Sequence, residues 1–198
     1  RSSHRNGSTL YSLVTKNLFN ASYQPNTFGV TIHHLSTSGS LAGTSVNDTY
    51  MDLSGKDSFG LLNDLTALGN YLYITDMAGN KIVRATPPNA ANYKTWAMPA
   101  GCFPNGIAAL STGEMLISCY SLQLIASKLY KFNPTTDAIT PVIVDHPDFM
   151  QAPDGLILYT PVGGQETLYV VTGTLDAVGN LVSQNAGTAT ALTSSDGW

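Results

Sequence analysis

The chain has 198 residues, 43% of them hydrophobic, which is enough to bury the core of one sizeable domain or two small ones. Only 11% are charged and the net charge is −4, with no run of Lys or Arg beyond Arg1 and Arg5. That balance argues against a phosphate-tracking surface and so against nucleic acid as a partner. No apolar stretch approaches the roughly 20 residues that a membrane-spanning helix needs.

The first fifty residues are polar and hold three acceptor triplets for N-linked glycans, at Asn6, Asn20 and Asn47. Three triplets in one stretch point to a secreted, extracellular glycoprotein, although a chain rich in Asn, Ser and Thr also makes them by chance. The chain starts at Arg1, without Met, so a removed leader and a start inside a longer protein are both compatible with it. Residues 28–35 read as a strand and residues 36–60 as loop-rich, so 1–60 is expected to be N-terminal strands and loops.

Residues 61–172 repeat. Leu62-Asn63-Asp64-Leu65-Thr66-Ala67-Leu68 aligns with Pro104-Asn105-Gly106-Ile107-Ala108-Ala109-Leu110, and more loosely with Pro153-Asp154-Gly155-Leu156-Ile157-Leu158. Each copy is followed by a turn and a β-rich run, at Tyr71–Thr75, Met115–Cys119 and Thr167–Thr172. The first two copies add another strand, at 81–85 and 128–132. Gly69-Asn70 and Thr112-Gly113 suit the tight turns, and Asn133-Pro134 ends its strand. Pro141 marks 139–144 as an edge strand. The copies start 42 and 49 residues apart (105 − 63 and 154 − 105), a spacing characteristic of β-propeller blades.

The expected fold is therefore all-β, a β-propeller of four-stranded antiparallel blades. Its repeated segments are 61–100, 101–150 and 151–172, and 173–198 is a Gly/Ala/Thr/Ser-rich continuation belonging to an incomplete blade. Only about three to four blades fit in the chain. Remaining blades or a second chain are expected to complete the ring, since open blade faces invite aggregation.

Pro104-Asn105-Gly106-Ile107, Gly113, the strand through Ser118, Leu129-Tyr130-Lys131-Phe132-Asn133-Pro134 and Pro153-Asp154-Gly155-Leu156 together resemble the gluconolactonase and luciferin-regenerating enzyme family. Asn63-Asp64 resembles an earlier blade of it. The resemblance spans about residues 60–172. It implies a six-bladed propeller, one divalent cation, calcium or zinc, and hydrolysis of lactones. By the same resemblance Asn105 and Asp154 match metal ligands, Asp154 doubles as the catalytic base, and Asn63 matches a position that contacts substrate or metal.

The chemistry of these residues is compatible with that reading. Two amides and one carboxylate at one repeat position make an oxygen-rich site for a hard cation, and a carboxylate can take the proton of an attacking water. The bland alternative is that Asn-Gly and Asp-Gly are turn formers. Two departures from the family stand out. No Glu occurs in residues 1–30, where the family supplies a ligand, and the only glutamates are Glu114 and Glu166. Leu61 stands where sugar-lactone enzymes carry an arginine.

Other candidates are weaker. Adjacent His33 and His34 face opposite sides of a strand. His146, with Asp145 and Asp148, reads as a solvated loop, and Ser118 and Ser121 lack a nucleophile elbow. Cys102 and Cys119 could pair in an oxidising compartment. Turn geometry, however, puts Cys119 opposite about residue 106, four residues from Cys102, so pairing requires the chain to bend back. Two functions follow as alternatives: a secreted, cation-dependent hydrolase of a small lactone or ester, or a non-catalytic extracellular propeller used for binding or assembly.

Overall fold

A computed structural model describes residues 3–15, 28–39, 42–120, 128–145, 152–173 and 188–198. Among the described residues there is no helix, and every element is a β-strand in an antiparallel sheet. The chain divides into two compact units, Arg1–Trp96 and Ala97–Trp198. Each unit consists of two sheets, wound as blades of the β-propeller type.

In the first unit, β1 (Ser3–Asn6), β2 (Thr9–Thr15), β3 (Phe28–Leu35) and β4 (Ser45–Asp52) form one meander. Strand β3 alternates as a half-buried strand should, with Phe28, Val30 and Ile32 turned into the core. Strand β4 lies within the stretch read as loop-rich, 36–60. It is an outer strand with one buried residue, Met51, so its sequence carries no alternation to betray it. The second sheet follows in chain order as β5 (Leu62–Leu68), β6 (Tyr71–Asp76), β7 (Lys81–Thr86) and β8 (Ala91–Ala97). The β5–β6 turn uses Gly69 at φ 58°, a conformation open to glycine at little cost. Leu65, Leu72, Ile74 and Val83 join the β3 residues in one core, where each large aliphatic side chain contributes roughly 1.5–3 kcal/mol by leaving water.

In the second unit, β9 (Phe103–Ala109), β10 (Met115–Tyr120), β11 (Lys128–Asn133) and β12 (Ala138–Val142) form a four-stranded sheet. Gly113, at φ 87°, closes the β9–β10 turn. Asn133 Oδ1 accepts from the Thr135 and Thr136 amides at 2.9 and 3.1 Å, which turns the chain after β11. Strand β12, with Pro141, is the outer edge, as its proline requires. The last sheet contains β13 (Pro153–Tyr159), β14 (Thr167–Thr172) and β15 (Thr188–Thr193). The 173–198 continuation thus supplies the third strand of the sheet that begins at Pro153. Leu116, Leu129, Leu156, Leu168 and Val170 form the core of this unit.

Cys102 and Cys119 are joined by a disulfide, with their Cα atoms 4.9 Å apart. The expected register was off: Cys119 lies opposite Pro104, not residue 106. A β-bulge in β9 uses up a residue, and a turn in which the Cys102 amide donates to the Pro99 carbonyl at 3.0 Å brings Cys102 back.

Candidate functional site

The three repeat copies contain the same irregularity. Leu62 faces Asp76 and Leu65 faces Ile74, so Asn63 and Asp64 together oppose the single residue Thr75. Pro104 faces Cys119 and Ile107 faces Ile117, so Asn105 and Gly106 oppose Ser118. Pro153 faces Thr172 and Leu156 faces Val170, so Asp154 and Gly155 oppose Val171. Each is a two-for-one bulge, which locally re-aims the strand's side chains. Asn63, Asn105 and Asp154 are thus the first residue of each bulge and lie within strands, not in turns.

Hydroxyl groups on the second strand support two of the bulges. Thr75 Oγ1 accepts from the Asp64 amide at 3.0 Å, and Ser118 Oγ accepts from the Gly106 amide at 2.9 Å. Asp64, nearly buried, also accepts from the Leu65 amide at 2.8 Å. In the third copy Val171 offers no hydroxyl. Sequence reasoning missed Thr75 and Ser118 in this role. The recurrence of a hydroxyl residue one position before Asp76 and Cys119 was the available signal.

In the second unit the bulges of β9 and β13 adjoin. Ser118 Oγ donates onward to the Asp154 carbonyl at 3.3 Å, and a Cβ on Gly106 would meet that carbonyl at 2.5 Å. Asn105 is buried beside it, at 7% exposure, and the Asp154 residue is exposed. Asn63, in the first unit, is half-buried and donates from Nδ2 to Met77 Sδ at 3.4 Å.

The other candidates are committed elsewhere or unconnected. Glu114 lies 3.5 Å from Lys131 Nζ and accepts from Asn133 Nδ2 at 3.3 Å. Glu166 accepts from the Ser111 amide at 3.0 Å and the Thr160 hydroxyl at 3.4 Å. His33 Nδ1 is 3.0 Å from Asp48 Oδ1. A hydrogen bond from Ser45, and then this one from His33, hold the Asp48 carboxyl below its usual range. Asn6 and Asn47 are exposed, at the end of β1 and on β4. Asn20, Ser121, His146 and Asp148 lie outside the described residues.

Among the described residues no three His, Cys, Asp or Glu side chains gather to hold a metal ion. An amide oxygen and a carboxylate are donor types that a hard cation takes, and two such donors would leave it much of its water, as magnesium keeps and calcium can. They do not fit a dehydrated cage.

No family model matches this chain, and no curated protein matches its sequence. Among solved structures it is similar to a puromycin-hydrolyzing peptidase of Mycobacterium tuberculosis, with a TM-score of 0.51 and 14% identity, over 94% of this chain. It is also similar to a Bacteroides uniformis protein described as a "putative 6-phosphogluconolactonase", with a TM-score of 0.45 and 12% identity, over 93% of this chain and 67% of the other. This chain spans a quarter of the length of the peptidase chain, 25%. At these identities the likeness to the peptidase is one of fold alone.

Proposed function

We propose that this chain is part of a secreted, lactonase-like β-propeller that binds lactones or related esters at the bulged strands β9 and β13 and hydrolyses them. The observation that carries the reading is the repeated bulge, which gives Asn63, Asn105 and Asp154 one structural position in three successive copies. Asp154, exposed, would accept the proton of an attacking water, and Asn105 would hold an oxygen of the bound ligand. Asn105 and Asp154 would also hold a divalent cation, calcium or zinc in the resembled family, which when bound would polarise the ester carbonyl.

Secretion is supported by the Cys102–Cys119 disulfide, since such bonds persist in oxidising compartments. Exposed Asn6 and Asn47 would carry N-linked glycans.

A second reading has its own observation. Glu114 is engaged by Lys131 and Asn133, Glu166 by the Ser111 amide and the Thr160 hydroxyl, and position 61 is leucine, so the glutamate ligand and the arginine of the resembled enzymes have no counterpart here. This favours a non-catalytic extracellular propeller that keeps the ligand face without the chemistry.

The deciding experiment measures lactone hydrolysis by the purified protein with and without added calcium or zinc, beside calorimetric titration of each ion. Turnover supports the first reading. Ligand binding without turnover supports the second, and neither binding nor turnover overturns the ligand face.

A further inference from the structure

A bulge leaves two residues opposite one, so its place along the strand depends on what fixes the paired residue before it. That residue is Leu62 in β5 and Pro104 in β9, and it faces Asp76 and Cys119 respectively. These two partners differ entirely in chemistry, yet they do the same thing. Asp76 is fully buried, and its carboxylate reaches back to the residues that lead into β5. Oδ1 accepts from the Leu61 amide at 2.8 Å, and both oxygens accept from the Gly60 amide at 3.1 Å. Gly60 is two residues before Leu62. In the next copy Cys119 is bonded to Cys102, two residues before Pro104. A hydrogen-bonded carboxylate and a covalent bridge therefore join equivalent positions of the repeat.

The surroundings of Asp76 are built around this role. The Gly79 amide donates to Oδ1 at 3.0 Å, and a Cβ on Gly79 would stand 2.0 Å from Oδ2, so only glycine leaves room for the carboxylate. Lys81 Nζ lies 3.8 Å from Oδ2 and offsets its charge. In the last copy Thr172 holds the equivalent place, but its hydroxyl pairs with that of Thr188 on β15 at 2.8 Å, so it ties the next strand instead of the lead-in.

We propose that Asp76 and the Cys102–Cys119 disulfide are interchangeable clamps, positioning groups that set the bulges bearing Asn63 and Asn105. The effect on ligand binding rests on the function proposed above, but the clamp itself does not. Breaking the disulfide would loosen the β9 bulge while leaving the rest of its sheet paired. A carboxylate at position 119 would restore part of that order.

The test is amide hydrogen exchange of the full chain, read on 103–107, with β11 and β12 as the internal reference. In C102A/C119A, and in the parent reduced with dithiothreitol after folding, exchange in 103–107 should rise about tenfold or more while β11 and β12 hold. C102G/C119D should recover part of the protection, which a bridge acting only as a general staple would not allow. Asp76→Asn should raise exchange at 60–64 in the same local way. Unchanged exchange at 103–107 in the reduced parent would overturn the proposal. So would an equal rise across β11 and β12, or no recovery in C102G/C119D. Exchange is read without ligand, so failure of the lactone reading leaves this result standing and is detected separately by the hydrolysis assay.

Discussion

Gly106 sits so close to Asp154 that a Cβ at position 106 would stand 2.5 Å from the Asp154 carbonyl oxygen. The same Cβ would lie 2.8 Å from both the Leu156 amide nitrogen and its Cγ, so backbone bounds the space and moving the leucine side chain alone cannot relieve it. Gly106→Ala should push β9 and β13 apart and cost roughly 1–3 kcal/mol, the usual range for overpacking. Gly155, the matching residue of the next bulge, has nothing within 4 Å of such a Cβ and no positive φ. Gly155→Ala should therefore stay within about 0.5 kcal/mol of the parent. Urea unfolding of both variants checks the contrast, and equal effects would contradict the close approach.

Ser118 is fully buried, and its hydroxyl links the Gly106 amide to the Asp154 carbonyl. Ser118→Ala leaves a bulge amide without this acceptor, which should cost about 1–3 kcal/mol. Because both linked groups flank Asn105 and Asp154, ligand affinity should fall along with stability. Calorimetry beside denaturant unfolding would show both, and a variant with intact stability would argue that the bulge stands without the hydroxyl.

Acid should weaken the first unit through Asp57. The Lys81 ammonium, 2.8 Å from Asp57 Oδ2, holds this carboxyl below the usual carboxylate range. A group whose folded pKa is depressed contributes its stability above the unfolded value, about pH 4, and loses it as pH falls toward the folded value. The pair is partly exposed, so the effect should be modest, up to about 1 kcal/mol. Asp57→Asn should lower the urea midpoint at pH 7 and flatten the decline between about pH 4 and pH 3. A decline as steep as the parent's would assign the acid sensitivity to other carboxylates.

The sequence made some of this legible and hid the rest, for physical reasons. Strands β9 to β11 could be read because Gly113 and Asn133-Pro134 punctuate them and their residues are largely buried. Strand β4 was hard to read because Ser45 to Tyr50 is, but for Val46, largely polar and mostly exposed, a pattern shared by loops. The Asn-Gly and Asp-Gly pairs left a turn open beside a site at the strand starts, since those residues favour turn conformations. Only the facing registers reveal them as bulges, and a register is a property of two strands that neither one carries alone. The disulfide was missed in its geometry for the same reason: counting back from the turn cannot see the residue that the bulge absorbs.

Glycosylation makes a clean prediction about the surface. Asn47 is exposed on β4, the outer strand of its sheet, and Asn6 is exposed at the end of β1. A glycan on Asn47 would blunt the β4 edge against pairing with another chain. Material from a eukaryotic secretory host should carry sugar on at least one of Asn6, Asn20 and Asn47, read by mass spectrometry before and after enzymatic deglycosylation. Three unmodified asparagines would count against secretion by this route.

The bulge residues themselves provide the sharpest test of function. Asp154 carries the only formal charge of the three, and its exposure leaves the carboxylate open to water and ligand. Asp154→Asn keeps the shape but removes both that charge and any proton acceptor, so hydrolysis should fall by about 10²- to 10⁴-fold, the usual worth of a general base. Cation binding should weaken with it. Asn105→Ala removes an oxygen from a buried place without changing charge, so ligand affinity should drop by about tenfold, the worth of one good hydrogen bond. Asn63→Ala should matter least, because Asn63 is half-buried with its amide on Met77. Lactone hydrolysis and calorimetry on the three variants and the parent separate the outcomes. The order Asp154, Asn105, Asn63 in severity supports a working site. If Asp154→Asn behaves like the parent, the bulges are sheet architecture, and the binding propeller without catalysis is the reading to keep.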